Sequence, residues 1–248
     1  MGFIVLGIIS LILLLVLKIL FGYSQKTFKE LEENKELDEL AKKYPDNIDI
    51  CKDYLKKLNN EKVEIEQSED GEASLYIAIS NKIVIANIKK SFTRIQTIAH
   101  ECLHSIQDRK LLIFNFVFSN IYLLYFIVVA LLAIFKVLPN EMLFIAIFLA
   151  LSCVYITVRT FLENDAMIKA RFLAKEYLEE KKISSKEEIE KLVNGFDEVN
   201  KVGIKCVNYY FFMEVMMKLF VLCTICLIRY GRAKSFHFDT NGDRLEIL

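Results

Sequence analysis

Four stretches nearly free of charge constrain the fold of this chain more than any other feature. Residues 3–22 (FIVLGIISLILLLVLKILFG) contain one lysine, Lys18; residues 111–135 and 142–158 contain no charged residue; residues 206–228 contain only Glu214 and Lys218. A helix needs about 20 apolar residues to cross a bilayer. The first two stretches meet that length, and the third stands at its short end. The fourth reads either as a span or as an interfacial helix, because Glu214 and Lys218 at i,i+4 form a favourable pair inside it. Residues 1–23 are expected to be an uncleaved anchor, since no basic residue precedes the apolar run and no small-x-small site closes it. Pro139 and Asn140, between the second and third runs, predict a helical hairpin over 111–158. A composition 54% hydrophobic with a mean hydropathy of +0.33 suits this layout. The expected partner is therefore the lipid bilayer.

The charges crowd between these runs. Lys+Arg and Asp+Glu balance at 32 each, so no global field argues for a nucleic-acid partner. The six cysteines are scattered, four of them in apolar runs, which suits a reducing compartment rather than a disulfide framework. Cys223-x-x-Cys226 has redox or zinc spacing but lies in an apolar run, and reads as helix packing.

Residues 24–110 predict a soluble subdomain. A charged helix is expected over Gln25–Lys43, broken by Pro45-Asp46-Asn47, and a shorter one over Ile48–Leu58. The period then changes to two. Lys62–Glu66, Ala73–Ile79 and Lys82–Ala86 read as strands of a small antiparallel sheet, divided by Glu69-Asp70-Gly71 and Ser80-Asn81. Such a sheet could bind an extended substrate along its edge or only support the helix that follows. Ser91 is the expected cap of that helix, and Phe92, Ile95, Ile98, Ala99, Cys102, Leu103 and Ile106 form its apolar stripe.

This helix carries His100-Glu101-Cys102-Leu103-His104, the pattern H-E-x-x-H, with two of the chain's three histidines. Positions i and i+4 share a helix face, so both imidazoles reach one metal ion, and Glu101 beside them can take a proton from a metal-bound water. Cys102 points away and reads as core. His237, among aromatic residues in the polar tail at 229–248, is not expected to be a ligand.

A hydrolytic zinc site needs a third protein ligand. Two crossings over 111–158 return the chain to the side of His100 and His104, where Glu163 and Asp165 are the first acidic residues of a charged helical segment, 159–205. If the helices continue straight, Glu163 and His104 both lie roughly 10 Å beyond the apolar core. Two residues along a helix are about 200° apart, so the two carboxylates cannot both face the metal. Glu163 is the expected ligand and Asp165 an orienting group behind it. Further along, Ser184-Ser185-Lys186-Glu187 predicts a capping box, and Gly195 the end of the helix it opens.

Ile98-Ala-His-Glu-Cys-Leu-His-Ser-Ile-Gln107 resembles the A-x-H-E-x-G-H-A-I-Q signature of the bacterial neutral zinc metallopeptidases of the membrane (the YugP-like family). Leu162-Glu-Asn-Asp-Ala166 is similar to that family's E-F-D-A-S segment. The layout of anchor, strands, motif, membrane hairpin and apolar C-terminal helix is similar too. The resemblance implies a helical transmembrane bundle (mainly α, with an α+β element) bearing a zincin-like HExxH helix. It also implies zinc held by His100, His104 and Glu163, with Glu101 as general base. Leu103 and Ser105 depart from the family's Gly and Ala, which bears on substrate range more than on metal binding. The heat-shock type of membrane zinc peptidase carries E-x-x-A-D at the third ligand, a pattern that Glu163-Asn-Asp-Ala166 fits less well.

Lys89, Lys90, Arg94, Arg109 and Lys110 precede the hairpin and Arg159, Lys169 and Arg171 follow it, against Lys136 alone in its loop. The positive-inside rule thus places the metal site in the cytoplasm. Arg229, Arg232 and Lys234 would break the rule if 206–228 crosses. The expected function is a membrane-anchored zinc endopeptidase acting on membrane-proximal protein or peptide substrates. The rival expectations are a non-catalytic zinc-binding scaffold or sensor and, third, a transporter, which has few spans here to work with.

Overall fold

The computed structural model describes residues 2–22, 24–68, 73–86 and 91–241, with side chains of the last helix described to 228. The elements in order are α1 (Gly2–Phe21), α2 (Gln25–Glu32), α3 (Lys35–Ala41), α4 (Asn47–Lys57), β1 (Glu64–Gln67), β2 (Leu75–Ile77), β3 (Lys82–Ile85), α5 (Arg94–His104), α6 (Arg109–Ile134), α7 (Glu141–Lys181) and α8 (Lys186–Asn241). The chain is thus mainly helical with one small sheet. It divides into two compact units. One takes the chain's start to Leu20, Val117–Thr157 and the chain from Tyr209 on; the other takes Phe21–Phe116 and Val158–Asn208.

The first unit is apolar on the outside as well as within. Ile8, Leu15, Leu124, Leu131 and Leu143 are exposed, while Tyr122, Phe148, Val215, Leu222, Cys223 and Cys226 are buried against one another. A helix apolar all round is suited to lipid. Four helices, α1, α6, α7 and α8, are long and apolar enough to cross a membrane. Between α6 and α7, Asn140 Oδ1 accepts the Leu143 N–H at the start of α7. Gly7 of α1 faces α8, where an added Cβ would make an ordinary contact with that of Cys223 at 3.7 Å. Several polar groups in this unit pair with one another. Tyr122 Oη is 3.1 Å from Ser152 Oγ, Tyr155 donates to Glu214 at 2.7 Å, and Lys218 Nζ lies 2.6 Å from Glu214 and 4.7 Å from the Tyr122 ring centre.

The third apolar run and the charged segment after it form one 41-residue helix, α7. No glycine or proline interrupts Glu141–Lys181, so nothing ends the backbone ladder until Lys182 turns left-handed at φ 51°. The backbone of α8 remains helical through Asn241. The His237 side chain and the Glu69-Asp70-Gly71 turn lie outside the described residues.

The second unit wraps a core of Ile50, Tyr54, Ile83, Ile85, Phe92, Ile95, Ile98, Ala174, Leu192 and Phe196. The expected helix over Gln25–Lys43 is two helices, because Asn34 caps a new start by accepting the Leu37 N–H. The expected antiparallel sheet is mixed, in the order β1-β3-β2, with β1 parallel and β2 antiparallel to β3. The strand chemistry explains the order. Ile83 and Ile85 of β3 are fully buried, so β3 takes the centre, while Glu64 and Glu66 keep β1 at an edge, where both reach Lys82. The capping box is shifted by one residue to Ser185 and Glu188, each accepting the other's N–H. Gly195 does not end its helix. It sits inside α8 because a Cβ would lie 2.5 Å from Leu37 Cδ1 and 3.0 Å from Phe92 Cε2, so only glycine admits this packing.

Candidate metal centre

α5 is set by its ends. At the N-terminal end, buried Arg94 donates to four acceptors in the turn before α4: Ala41 O, Tyr44 O, Pro45 O and Asn47 Oδ1, all within 2.9 Å. Ser91 acts one step earlier than expected, accepting the Thr93 N–H rather than capping the helix directly. Asp38 accepts the Phe92 N–H. At the other end Asn60 donates to Ser105 O. The apolar stripe of Ile95, Ile98, Ala99 and Cys102 then enters the core, with Cys102 Sγ 3.6 Å from Cys51 Sγ, which confirms Cys102 as core. His100 and His104 are left on a common face.

There they meet α7. Glu163 Oε2 lies 3.5 Å from His100 Nε2 and 3.6 Å from His104 Nε2, and the two imidazole nitrogens are 3.0 Å apart. Three electron-pair donors this close repel unless a positive charge lies among them, either a proton on an imidazole or a metal ion. His100, His104 and Glu163 could hold a metal ion. Glu163 stands beyond the apolar part of α7. Burial pushes its carboxyl up, but hydrogen bonds from His100 and His104 outweigh this and hold it well below the ordinary range. Burial pulls His104 down, and the Glu163 carboxylate more than reverses that.

Glu101 is buried, and its carboxyl is pushed up by that burial, against the opposing pull of the two imidazoles. The Tyr76 N–H on edge strand β2 donates to it, so the carboxylate is held between the sheet and the metal group. Asp165 does not touch either histidine. It pairs with Lys169 Nζ at 2.6 Å and accepts from Gln107 Nε2 at 3.1 Å. Gln107 also donates to Leu162 O at 2.8 Å, and its Oε1 is 2.8 Å from His104 Nδ1. The residue behind His104 is therefore Gln107, which the sequence reasoning missed. Its position three residues past His104, on the same side of the turn, was the available signal.

Compared with family models, with curated proteins and with solved structures, the chain matches none.

Proposed function

We propose that this chain is a membrane-anchored, zinc-dependent endopeptidase. The observation that carries the reading is the approach of Glu163, from a helix far along the chain, to both Nε2 atoms of the H-E-x-x-H pair. Zinc bonds of about 2.0–2.2 Å in a tetrahedron put ligand atoms about 3.3–3.6 Å apart. The separations of 3.5 and 3.6 Å fall in that range, while the two imidazole nitrogens, 3.0 Å apart, would have to open by about 0.3 Å to share a zinc ion. Two imidazoles and one carboxylate form the donor set of hydrolytic sites, which leave a fourth position open. When bound, zinc would lower the pKa of a coordinated water to about 7 and polarise the scissile carbonyl.

The remaining chemistry falls to the chain's own residues. Glu101 accepts the proton of the attacking water and delivers it to the leaving amine, a role for which burial has already raised its proton affinity. The edge of β2, whose Tyr76 N–H meets Glu101, is suited to an extended peptide. The signature shared with the neutral zinc metallopeptidases of the membrane supports the same reading. The excess of Lys and Arg on both sides of the hairpin favours a cytoplasmic site, and the place of the H-E-x-x-H motif and Glu163 next to apolar runs along the chain favours membrane-proximal protein substrates.

The test is Glu101→Gln in full-length protein reconstituted in liposomes and assayed on fluorogenic peptides. Turnover should fall at least about 100-fold while zinc content stays at the wild-type level. A fully active Glu101→Gln protein would overturn the mechanism. Zinc bound by a wild-type protein that cleaves no peptide would instead mark a metal-binding scaffold.

A further inference from the structure

We infer that Gln107 is the positioning residue of the metal centre: it fixes which nitrogen of His104 faces the metal, and it ties that histidine to the turn of α7 that carries Glu163. This rests on the reading of His100, His104 and Glu163 as metal ligands.

The argument is one of donors and acceptors. Leu162 O can only accept a hydrogen bond, and Asp165, ion-paired to Lys169, also accepts. Both lie against the same atom of Gln107, at 2.8 and 3.1 Å, so that atom is the amide nitrogen and both of its hydrogens are used. The amide oxygen is then the atom 2.8 Å from His104 Nδ1. An oxygen there accepts, so Nδ1 carries the hydrogen. In the neutral ring the lone pair is then on Nε2. That nitrogen is the one facing His100 Nε2 and Glu163 Oε2. A carboxylate or carbonyl behind a metal-bound histidine does the same work elsewhere. Here an amide does it and adds a second function. Its Leu162 anchor is the residue directly before Glu163, so the same side chain sets the distance between α5 and the third ligand. Asp165 and Lys169 act on Gln107 and, through it, on His104.

The experiment is a zinc competition titration against a chromophoric chelator, on full-length detergent-purified protein. The proteins compared are wild type, Gln107→Ala, Gln107→Glu, Asp165→Asn, Gln107→Glu with Asp165→Asn, and Glu163→Ala. Gln107→Ala should weaken zinc binding about 10- to 100-fold. Gln107→Glu alone should weaken it as well, because a carboxylate would face both Asp165 and Leu162 O. Combining it with Asp165→Asn lets the new amide donate to the new carboxylate, which still accepts from His104, and should recover part of the loss, the Leu162 O contact remaining unrelieved. General damage to the fold would not be repaired by that pairing. Nitrogen-15 spectra should read His104 as the Nδ1–H form in wild type and as a mixture of forms in metal-free Gln107→Ala; with three histidines in the chain, its signal is assignable. Wild-type affinity in Gln107→Ala beside a loss in Glu163→Ala would overturn the role of Gln107 alone. Wild-type affinity in Glu163→Ala would overturn the ligand set itself.

Discussion

Replacing Glu163 with alanine removes one of the three groups that could together hold a metal ion, and the one carboxylate among them. Structural zinc sites with four protein ligands bind with about 10–16 kcal/mol, so one ligand is worth about 2.5–4 kcal/mol. At about 1.4 kcal/mol per tenfold, that is about two to three orders of magnitude in affinity. Glu163 should fall in the upper half of that range, because it is the one anionic member of the three and gains most from a dication. Glu163→Gln keeps the size and one oxygen donor and should lose less. Asp165→Ala, which acts through Gln107, should lose about tenfold. The assay is metal content and zinc affinity of detergent-purified protein, with His100→Ala and His104→Ala as references. If Glu163→Ala binds zinc within threefold of wild type while either histidine variant fails to bind, the third ligand lies elsewhere and the reasoning is refuted.

Two further outcomes concern what holds the site up. Arg94→Lys should lower stability by about 2–4 kcal/mol, since a single ammonium cannot reach four acceptors that a guanidinium fork reaches, and hydrogen bonds to charged groups are worth about 1.5–3 kcal/mol each. Thermal unfolding in detergent reads this, and an unchanged midpoint would remove Arg94 from the account of how α5 is anchored. Glu214→Ala deprives Lys218 of its carboxylate within the apolar unit and should cost about 3–5 kcal/mol, whereas Glu214→Gln combined with Lys218→Met should recover most of it. Equal losses in the single and double variants would show that the pair does not act as a pair.

The sequence by itself determined everything that depends on neighbours along the chain. The apolar runs became long helices, because a bilayer-length apolar segment satisfies its backbone only as a helix. His100 and His104 share a face because 3.6 residues make a turn, and Asn140 caps α7 because its side chain is short enough to reach back. That Glu163 and Asp165 do not both face the histidines was legible too, since two residues along a helix are about 200° apart. Tertiary structure alone decided the contacts between distant segments. Gln107 meets Leu162 and Asp165 across 55 and 58 residues, Arg94 meets the 41–47 turn, and Gly195 makes room for Leu37 and Phe92 inside a helix that a glycine would ordinarily be read as ending. The central place of β3 belongs with these, because strand order follows from which face the core covers, not from the order of the strands in the chain. The physical reason is common to all of them. Local propensities act over one or two turns, whereas a buried donor, acceptor or gap is satisfied by whatever packing brings beside it, and that partner is recorded nowhere in the residues on either side.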